Sequence, residues 1–297
     1  MIGILKNTFE DPGHLFMYFH ENLTRMKEIL ILALTLSISW PIFGQEESWD
    51  VNDPPGDYTN VQFNVAEGTW LNLDVSPDGK TIVFDLLGDI YAIPLTGGKA
   101  QCLRSGLAWE VQPRFSPDGK KILFTSDAGG GDNIWVMDQD GKNPRQITTE
   151  KFRLLNNGIW VPGEDYIIAR KHFTSTRSLG AGEMWMYHVH AAQTNSMAGL
   201  QLTKRPNDEK DVNEPIFSPD GKYLYYSQDA TAGSVFEYDK DSNKQIYVVK
   251  RLALNSGDTE SYITGPGGAC RPTPSPDGKT IALTLSQDGN PEVYVIS

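Results

Sequence analysis

The residues most suggestive of chemistry are His188 and His190, which are separated by a single valine. Side chains two apart on a β-strand point to the same side, so such a pair can share a metal ion. A metal centre needs further ligands, however, and none of the five histidines follows His190. His14 and His20 lie near the N-terminus, and His172 precedes the pair. We therefore expect no metal site here and interpret the pair as a solvent-facing strand end.

Other catalytic motifs are absent from the sequence. It contains no Gly-x-Ser-x-Gly nucleophile motif, no Walker phosphate loop and no dinucleotide-binding fingerprint. The run Gly129–Asp132 has the composition of a phosphate or calcium loop, but no helix signal follows it, which favours a connection between two strands. We expect this chain to carry no catalytic residue and no cofactor.

The charge and the cysteines exclude further classes of function. The formal net charge is −12, which argues against nucleic acid as a partner, because binding to phosphates depends on a basic patch. Cys102 and Cys270 lie far apart and form no Cys-x-x-Cys pair. This spacing favours two unpaired structural thiols over a disulfide framework or a zinc ribbon.

The N-terminal region resembles a targeting segment. Lys27 precedes an apolar run that ends in a small residue before Gln45, which is the layout of a secretory signal peptide. The run is shorter than the roughly 20 residues of a membrane span. We predict a signal peptide over residues 26–44 and interpret residues 1–25 as a start-site artefact or a genuine extension. The mature protein is then periplasmic or secreted, with no membrane span after cleavage.

A repeat occupies the rest of the chain. Ser-Pro-Asp-Gly-Lys occurs four times, beginning at Ser76, Ser116, Ser218 and Ser275, and a degenerate copy begins at Val161. The intervals of 40, 45, 57 and 57 residues suit four-stranded propeller blades, with loop insertions in the longer ones. In each copy, proline presets φ and glycine takes a conformation that strains a side chain, so the motif predicts a tight turn between antiparallel strands.

Short apolar runs follow every turn and predict the second strand of each blade. They lack strict alternation, as expected of strands covered on both faces. A third strand recurs as polar, aliphatic and usually aromatic residues, in the segments Asp89–Tyr91, Asn133–Trp135, Glu183–Trp185, Gln245–Tyr247 and Glu292–Tyr294. Outer strands end in Gln146–Thr148 and Gln201–Thr203. The predicted fold class is therefore all-β, a β-propeller of four-stranded antiparallel blades.

About five blades are predicted over residues 70–297, after an N-terminal linker and strand over residues 45–69. A closed ring of five would need the segment 62–72 to supply the outer strand of the fifth blade. An open fan would leave a sheet edge exposed, which invites aggregation. Truncation of a larger propeller is the favoured interpretation.

The repeat resembles the TolB-type propeller repeat over roughly residues 70–297. The closest likeness is to the N-terminal propeller of exported bacterial amidohydrolases, on the segments Gly68–Gly79, Phe84–Tyr91, Arg104–Pro113, Arg170–Glu183 and Asp211–Pro215. The last segment departs from that pattern after about Lys279. In that family the propeller precedes a metal-dependent TIM-barrel domain, so the resemblance implies a hydrolase domain that is not part of this sequence.

Polar residues four positions before each turn are the candidate binding residues. They should line the central channel from the innermost strands, and they are Asn72, Gln112, Asn157, Glu214 and Arg271. The connection after the second strand of the third blade carries further cations and should lie at the same mouth, with Arg170, Lys171, His172 and Arg177. We expect this face to form a docking surface, with ordinary hydration of the channel and a solvated loop as the alternative.

Two functions remain open at this stage. The first is a propeller module that binds, docks or gates a hydrolase domain. The second is a stand-alone periplasmic TolB-like propeller that binds another protein. One propeller type hosts many functions, so fold alone does not separate them.

Overall fold

The computed structural model describes residue 27 and residues 50–62, 64–151, 154–163, 165–173, 181–190, 199–233, 241, 243–287 and 290–297. The chain divides into two units, Met1–Ser48 and Trp49–Ser297, and every strand given below belongs to the second. The predicted leader, residues 1–44, lies outside the described residues apart from Lys27. No helix in the described part of the chain is long and apolar enough to cross a bilayer.

Five antiparallel sheets follow one another along the chain and form the blades of a β-propeller. Blade 1 contains β1 (Leu73–Val75), β2 (Thr81–Leu86), β3 (Asp89–Pro94) and β4 (Gln101–Arg104). Blade 2 contains β5 (Glu110–Phe115), β6 (Lys121–Ser126), β7 (Asn133–Asp138) and β8 (Arg145–Gln146). Blade 3 contains β9 (Leu155–Trp160), β10 (Tyr166–Phe173), β11 (Ala181–His188) and β12 (Leu200–Gln201). Blade 4 contains β13 (Val212–Phe217), β14 (Tyr223–Asp229), β15 (Tyr247–Ala253) and β16 (Thr259–Ile263). Blade 5 contains β17 (Cys270–Pro274), β18 (Ile281–Gln287) and β19 (Asn290–Ile296).

The predicted turn joins the first and second strands of each blade. In blade 4 the Ser218 hydroxyl donates to Asp220 (2.6 Å) and accepts the backbone N–H of Tyr223 (3.0 Å), while Gly221 N–H donates to the Ser218 carbonyl (2.8 Å). Gly221 has a φ of 69°, the left-handed region that glycine occupies without strain. We call the side of the propeller with these turns the turn face. The opposite side, with the connections between second and third strands, is the loop face.

The second strands of blades 2, 3 and 4 each pack against both neighbouring blades. In β6, Ile122 and Phe124 contact blade 1, while Leu123 points the other way and contacts blade 3, and all three are fully buried. Equivalent apolar clusters form between blades 3 and 4 and between blades 4 and 5. The predicted all-β propeller is therefore confirmed, and the predicted cover on both faces of the second strand holds for blades 2, 3 and 4.

The predicted third strand of blade 4 is wrong in register. Tyr226 of β14 pairs with Lys250, in the position where Phe124 of β6 pairs with Trp135, so the residue at the aromatic position is Lys250 and not Tyr247. The register follows burial, because a shift by one residue would move the fully buried Val249 to the other face of the sheet. The segment Gln245–Tyr247 matches the motif by composition but mostly precedes the strand.

The outward flanks of blades 1 and 5 remain exposed. Val293 and Val295 of β19 occupy the positions of Ile134 and Val136 in β7, yet they are 76% and 67% exposed. Within the described residues, β19 has no partner on its outer edge and no buried apolar cluster joins blade 5 to blade 1. Residues 64–68, part of the segment 62–72 considered above for the outer strand of blade 5, line a groove of about 900 Å³ against β2 and β3.

Ile134 in blade 2 and Val293 in blade 5 occupy matching positions but differ in burial, and this difference is testable. Ile134→Ala removes a side chain with no exposed surface and should lower the free energy of unfolding by about 2–5 kcal/mol. Val293→Ala, at the matching exposed position, should lower it by less than about 1 kcal/mol. Urea denaturation of the two variants and the parent measures both changes. Equal losses would contradict the open flank on blade 5.

The turn carboxylates should make the fold sensitive to acid. The hydrogen bond from the Ser218 hydroxyl, with Lys222 beside it, lowers the pKa of Asp220 from 3.8 to about 2. A carboxyl whose pKa is lower in the folded state stabilises the fold above its unfolded pKa, and this contribution disappears as the pH falls through the folded pKa. Thermal melts between pH 5 and pH 2 should therefore show falling stability. In Asp220→Asn, which keeps an acceptor oxygen, the slope should be shallower, and an unchanged slope would contradict this account.

Candidate functional site

The first strands of the blades carry four of the five predicted channel residues at β-bulges. Successive first strands contact one another, which places them at the centre of the propeller. At each bulge the register with the second strand shifts, and the bulged residue has a positive φ: Gln112 (58°), Asn157 (49°), Glu214 (56°) and Arg271 (56°). The left-handed conformation is uncommon for residues other than glycine. A bulge re-aims the side chain that it carries, here at the centre of the fold.

The backbone N–H of a bulged residue is donated to a side chain of the preceding blade. Gln112 N–H donates to Asp85 Oδ2 (2.7 Å), and Asn157 N–H donates to Gln112 Oε1 (2.7 Å). In the same way, Arg271 N–H donates to Glu214 Oε2 (2.8 Å). Each of these bonds crosses a junction between two blades. The side chains that sequence analysis assigned to the channel therefore satisfy backbone groups that the bulges remove from the sheet.

Blades 1 and 4 complete this series of hydrogen bonds. Asn157 Nδ2 donates to Asn213 Oδ1 (2.5 Å), which also accepts the backbone N–H of Glu214 (2.9 Å). In blade 1 Asp85 accepts both the backbone N–H of Asn72 (2.9 Å) and its side-chain amide (2.8 Å). All five predicted channel residues thus lie in one series from blade 1 to blade 5. We call it the channel belt: Asn72, Asp85, Gln112, Asn157, Asn213, Glu214 and Arg271.

Arg271 is the accessible cation of the channel belt. Its Nε lies 3.0 Å from Glu214 Oε1, while three quarters of its side chain is exposed. Glu214 also accepts the hydroxyl of Ser227 (2.7 Å), which holds the carboxylate in place. The adjacent thiol of Cys270 is unpaired, and burial, reinforced by the charge of Glu214, raises its pKa to about 11. This thiol is therefore a poor nucleophile at neutral pH.

Arg170 forms a buried clamp between blades 3 and 4. Its Nη2 lies 2.8 Å from Asp211 Oδ1, and its Nε donates to the carbonyl of Val212 (3.1 Å). Asp211 also accepts the backbone N–H of Gly182 (2.6 Å). A Cβ at Gly182 would lie 2.4 Å from Arg170 Nε and 2.9 Å from the Val212 carbonyl oxygen, so only glycine allows this approach. The guanidinium is committed to this junction, and direct contact between Arg170 and a partner stays a prediction.

The other predicted cations of the loop face differ in their surroundings. Lys171 Nζ lies 2.6 Å from Glu150 and 4.4 Å from the centre of the Trp185 ring. His172 is half-buried on β10, and its backbone N–H donates to the carbonyl of Leu154 (2.9 Å). Arg177 lies outside the described residues. Packing thus holds Lys171 and His172 at the base of the loop, and the role of Arg177 stays a prediction.

The two histidines of the His-x-His motif lie at the end of β11, on the turn face. The backbone N–H of His190 donates to Nδ1 of His188 (2.9 Å), and the His188 ring packs edge-on against Tyr166. His190 is exposed and His188 is half-buried. Among the described residues, no group of three or more His, Cys, Asp or Glu side chains is arranged to hold a metal ion.

The loop face also carries exposed apolar residues that were not among the predicted site residues. Trp70, Leu87, Leu107 and Trp109 are all exposed there, at the loop-face ends of blades 1 and 2. The signal was the dipeptide Leu87-Gly88 between two short strands, where Asn-Gly or Asp-Gly is the usual two-residue turn. A leucine at the first position of such a turn is unusual, and this departure can be seen in the sequence alone.

Comparison with known families identifies the repeat. Residues 62–240 match the model of the TolB beta propeller domain. A protein of Sulfurisphaera tokodaii, named as a tricorn-like protease C-terminal subunit, is 24% identical over 56% of this chain and 18% of its own length. The uncharacterized peptidase YuxL of Bacillus subtilis is 28% identical over 52% of this chain and 21% of its own length. This chain therefore spans about a fifth of the length of these two relatives.

Solved structures show the same fold. A protein described as TolB from Agrobacterium tumefaciens superimposes with a TM-score of 0.59 at 19% identity, covering 76% of each chain. TolB from Acinetobacter baumannii superimposes with a TM-score of 0.54 at 17% identity, covering 76% of this chain and 49% of that one. Both similarities concern the propeller fold.

Loss of the Gln112 side chain, inside the channel belt, should destabilise the fold more than loss of the exposed Arg271 side chain. Gln112→Ala removes the acceptor for Asn157 N–H and for the Thr125 hydroxyl, so the free energy of unfolding should fall by about 1–3 kcal/mol. Arg271→Ala leaves its own backbone bond to Glu214 intact and removes a mostly exposed ion pair, which is worth about 1 kcal/mol or less. Urea denaturation measures both changes. A larger loss for Arg271→Ala would contradict the belt as described.

Proposed function

This chain belongs to the TolB β-propeller domain family, and on that premise we propose that it is an exported binding module without chemistry of its own. The observation that carries the proposal is the setting of Arg271. The hydrogen bond from its backbone N–H to Glu214 Oε2 holds the residue in the channel belt, and its Nε lies 3.0 Å from Glu214 Oε1, yet three quarters of the side chain is exposed. Function often lies on groups that a rigid scaffold holds at its surface, and arginine suits recognition of carboxylates on a partner.

The first candidate partner is a hydrolase domain. The sequence resembles propellers that precede amidohydrolase domains, and two relatives named as a protease subunit and a peptidase are several times longer than the stretch they share with this chain. In this proposal the loop face docks or gates the catalytic domain. The full-length protein would then be an amidohydrolase-like enzyme, while this chain supplies no catalytic residue and no cofactor.

The second candidate is a stand-alone periplasmic propeller that binds another protein. It is favoured by the match to the Agrobacterium structure, which covers 76% of that chain as well as 76% of this one. Most of that protein is therefore accounted for by the region that resembles this propeller. A periplasmic location follows from the signal peptide predicted over residues 26–44. We expect no nucleic-acid partner under either proposal, because the net charge is −12.

Sequencing of the gene beyond codon 297 separates the two candidates. An in-frame continuation that encodes further blades and a barrel with a His-x-His strand would support the hydrolase module. A confirmed stop codon, together with a soluble product that melts cooperatively, would support the stand-alone binding protein.

Docking on the loop face predicts an effect of two arginines. A photo-crosslinking residue at position 172 should form a defined adduct with an exported protein or domain, identified by mass spectrometry. Arg271→Ala and Arg177→Ala should each lower the adduct yield by about tenfold, as expected for loss of a charge-assisted hydrogen bond. Lys120→Ala, an exposed cation on the turn face, is the matched control. Unchanged yields from folded Arg271→Ala and Arg177→Ala would refute docking at this face.

A further inference from the structure

Four exposed apolar side chains form one patch at the loop-face ends of blades 1 and 2. We call Trp70, Leu87, Leu107 and Trp109 the apolar patch; their exposed fractions are 99%, 67%, 46% and 54%. Large exposed aromatic groups are enriched at the centres of protein interfaces. Isolated exposed hydrophobic residues are normal on protein surfaces, whereas a cluster of them marks an interaction site.

The backbone places the four residues side by side. Asp85 N–H bonds to the Asn72 carbonyl (3.1 Å), so the segment that leads from Trp70 into β1 lies beside the strand that ends at the Leu87 turn. The ring of Trp109 covers the other half of that turn, because a Cβ at Gly88 would lie 2.7 Å from its Cε3. Leu107 is two residues from Trp109 in the same connection. The Leu87-Gly88 turn and the Trp109 ring therefore meet across the junction of two blades, and Trp70 and Leu107 lie on the chain segments that adjoin them.

Two members of the patch have strained backbone. Trp70 and Leu87 have φ values of 57° and 55°, in the left-handed region where bulky residues are outliers. Leu87 and Gly88 form a two-residue hairpin turn with both φ values positive, in which the first position favours asparagine, aspartate or glycine. The free chain thus carries both backbone strain and exposed apolar surface at one place. A bound partner that covers the patch would remove the cost of the exposed apolar surface.

Carboxylates border the patch. Asp127 accepts the backbone N–H of Trp109 (2.7 Å), and Asp89 accepts the backbone N–H of Gly106 (3.3 Å). Burial and the charge of Asp127 raise the pKa of Asp132, so a further carboxyl group lies within electrostatic reach of Asp127. A partner that covers the apolar patch therefore gains from positive charge at its edges.

The cation on the adjacent strand does not neutralise this border. Arg104 on β4 is engaged by Glu110, with Nη2 2.6 Å from Oε1 and Nε bonded to both carboxylate oxygens. Its charge is therefore balanced within the pair. An anionic lipid surface would be repelled by the border, which favours a polypeptide over a membrane as the occupant.

We propose that the apolar patch binds a polypeptide segment whose apolar side chains are flanked by lysine or arginine. This inference rests on the proposed function, because it names the chemistry of the segment by which a partner docks on the loop face. Burial of Leu87 and the two tryptophans provides the affinity, and Asp89, Asp127 and Asp132 favour a basic segment over an acidic one.

The test uses fluorescein-labelled dodecapeptides and fluorescence anisotropy. One peptide has a central block of leucine and phenylalanine flanked by lysines, and its matched counterpart has glutamates in place of the lysines. The lysine-flanked peptide should bind the full chain more tightly, with the difference shrinking in high salt. Leu87→Asn should weaken its binding by about tenfold, the change expected when burial of one leucine is lost.

The controls separate the patch from general stickiness and from misfolding. Leu87→Asn introduces the residue that the turn favours, so its melting temperature should be equal to or above that of the parent. Leu95→Asn replaces an exposed leucine (54%) on the turn face and should leave peptide binding unchanged. Asp127→Asn with Asp132→Asn should abolish the preference for lysine flanks.

Several outcomes would overturn the inference. Equal binding of both peptides, or equal loss in Leu87→Asn and Leu95→Asn, would refute the assigned chemistry. Binding of phosphatidylglycerol vesicles that depends on Leu87 would replace the polypeptide with a membrane. If the crosslinked partner of position 172 is found but the peptides do not bind, the inference fails while the proposed function stands. If the peptides bind at the patch but no partner is crosslinked, the proposed function fails instead.

Discussion

A bulge in the first strand of a blade turns one backbone N–H away from its own sheet, and that N–H needs an acceptor. At three of the four bulges a side chain of the preceding blade accepts it: Asp85, Gln112 and Glu214 provide the oxygens. The blades are therefore joined by directional bonds at the centre as well as by the apolar clusters between their sheets. A shift of one blade against the next would leave a polar group unsatisfied.

This constraint gives the polar residues at the channel a structural role. Each of them makes at least one side-chain hydrogen bond within the fold, which gives a structural reason for a polar side chain at this position of each repeat. Arg271 combines this role with an accessible guanidinium, because its backbone N–H joins the channel belt while its side chain is mostly exposed. Arg170 has the opposite character, with a buried guanidinium that holds blades 3 and 4 together. The docking surface that we propose accordingly lies around the belt, on the loop face.

Much of the architecture was predictable because it repeats. The Ser-Pro-Asp-Gly turn has a local physical cause, and its spacing counts the blades without any knowledge of packing. The endings Gln146–Thr148 and Gln201–Thr203 also have a local cause: the hydroxyls of Thr148 and Thr203 accept the backbone N–H of Ile134 and Met184 (2.9 Å each). The register of β15 was not predictable, because Gln245–Tyr247 fits the pattern by composition, while burial of Val249 against blade 5 decides which residue faces which blade.

By itself the sequence determined the fold class, the approximate number of blades and the positions that meet at the centre. These depend on turn chemistry and on spacing along the chain, which are local properties. Only the tertiary structure decided which polar residues are consumed by the fold, that Arg170 is buried and that Arg271 is accessible. It also decided that the Trp109 ring packs against the Leu87-Gly88 turn of the preceding blade, although 20 residues lie between Gly88 and Trp109. Burial and partnership depend on which distant segments pack together, and a linear pattern carries no direct measure of that packing.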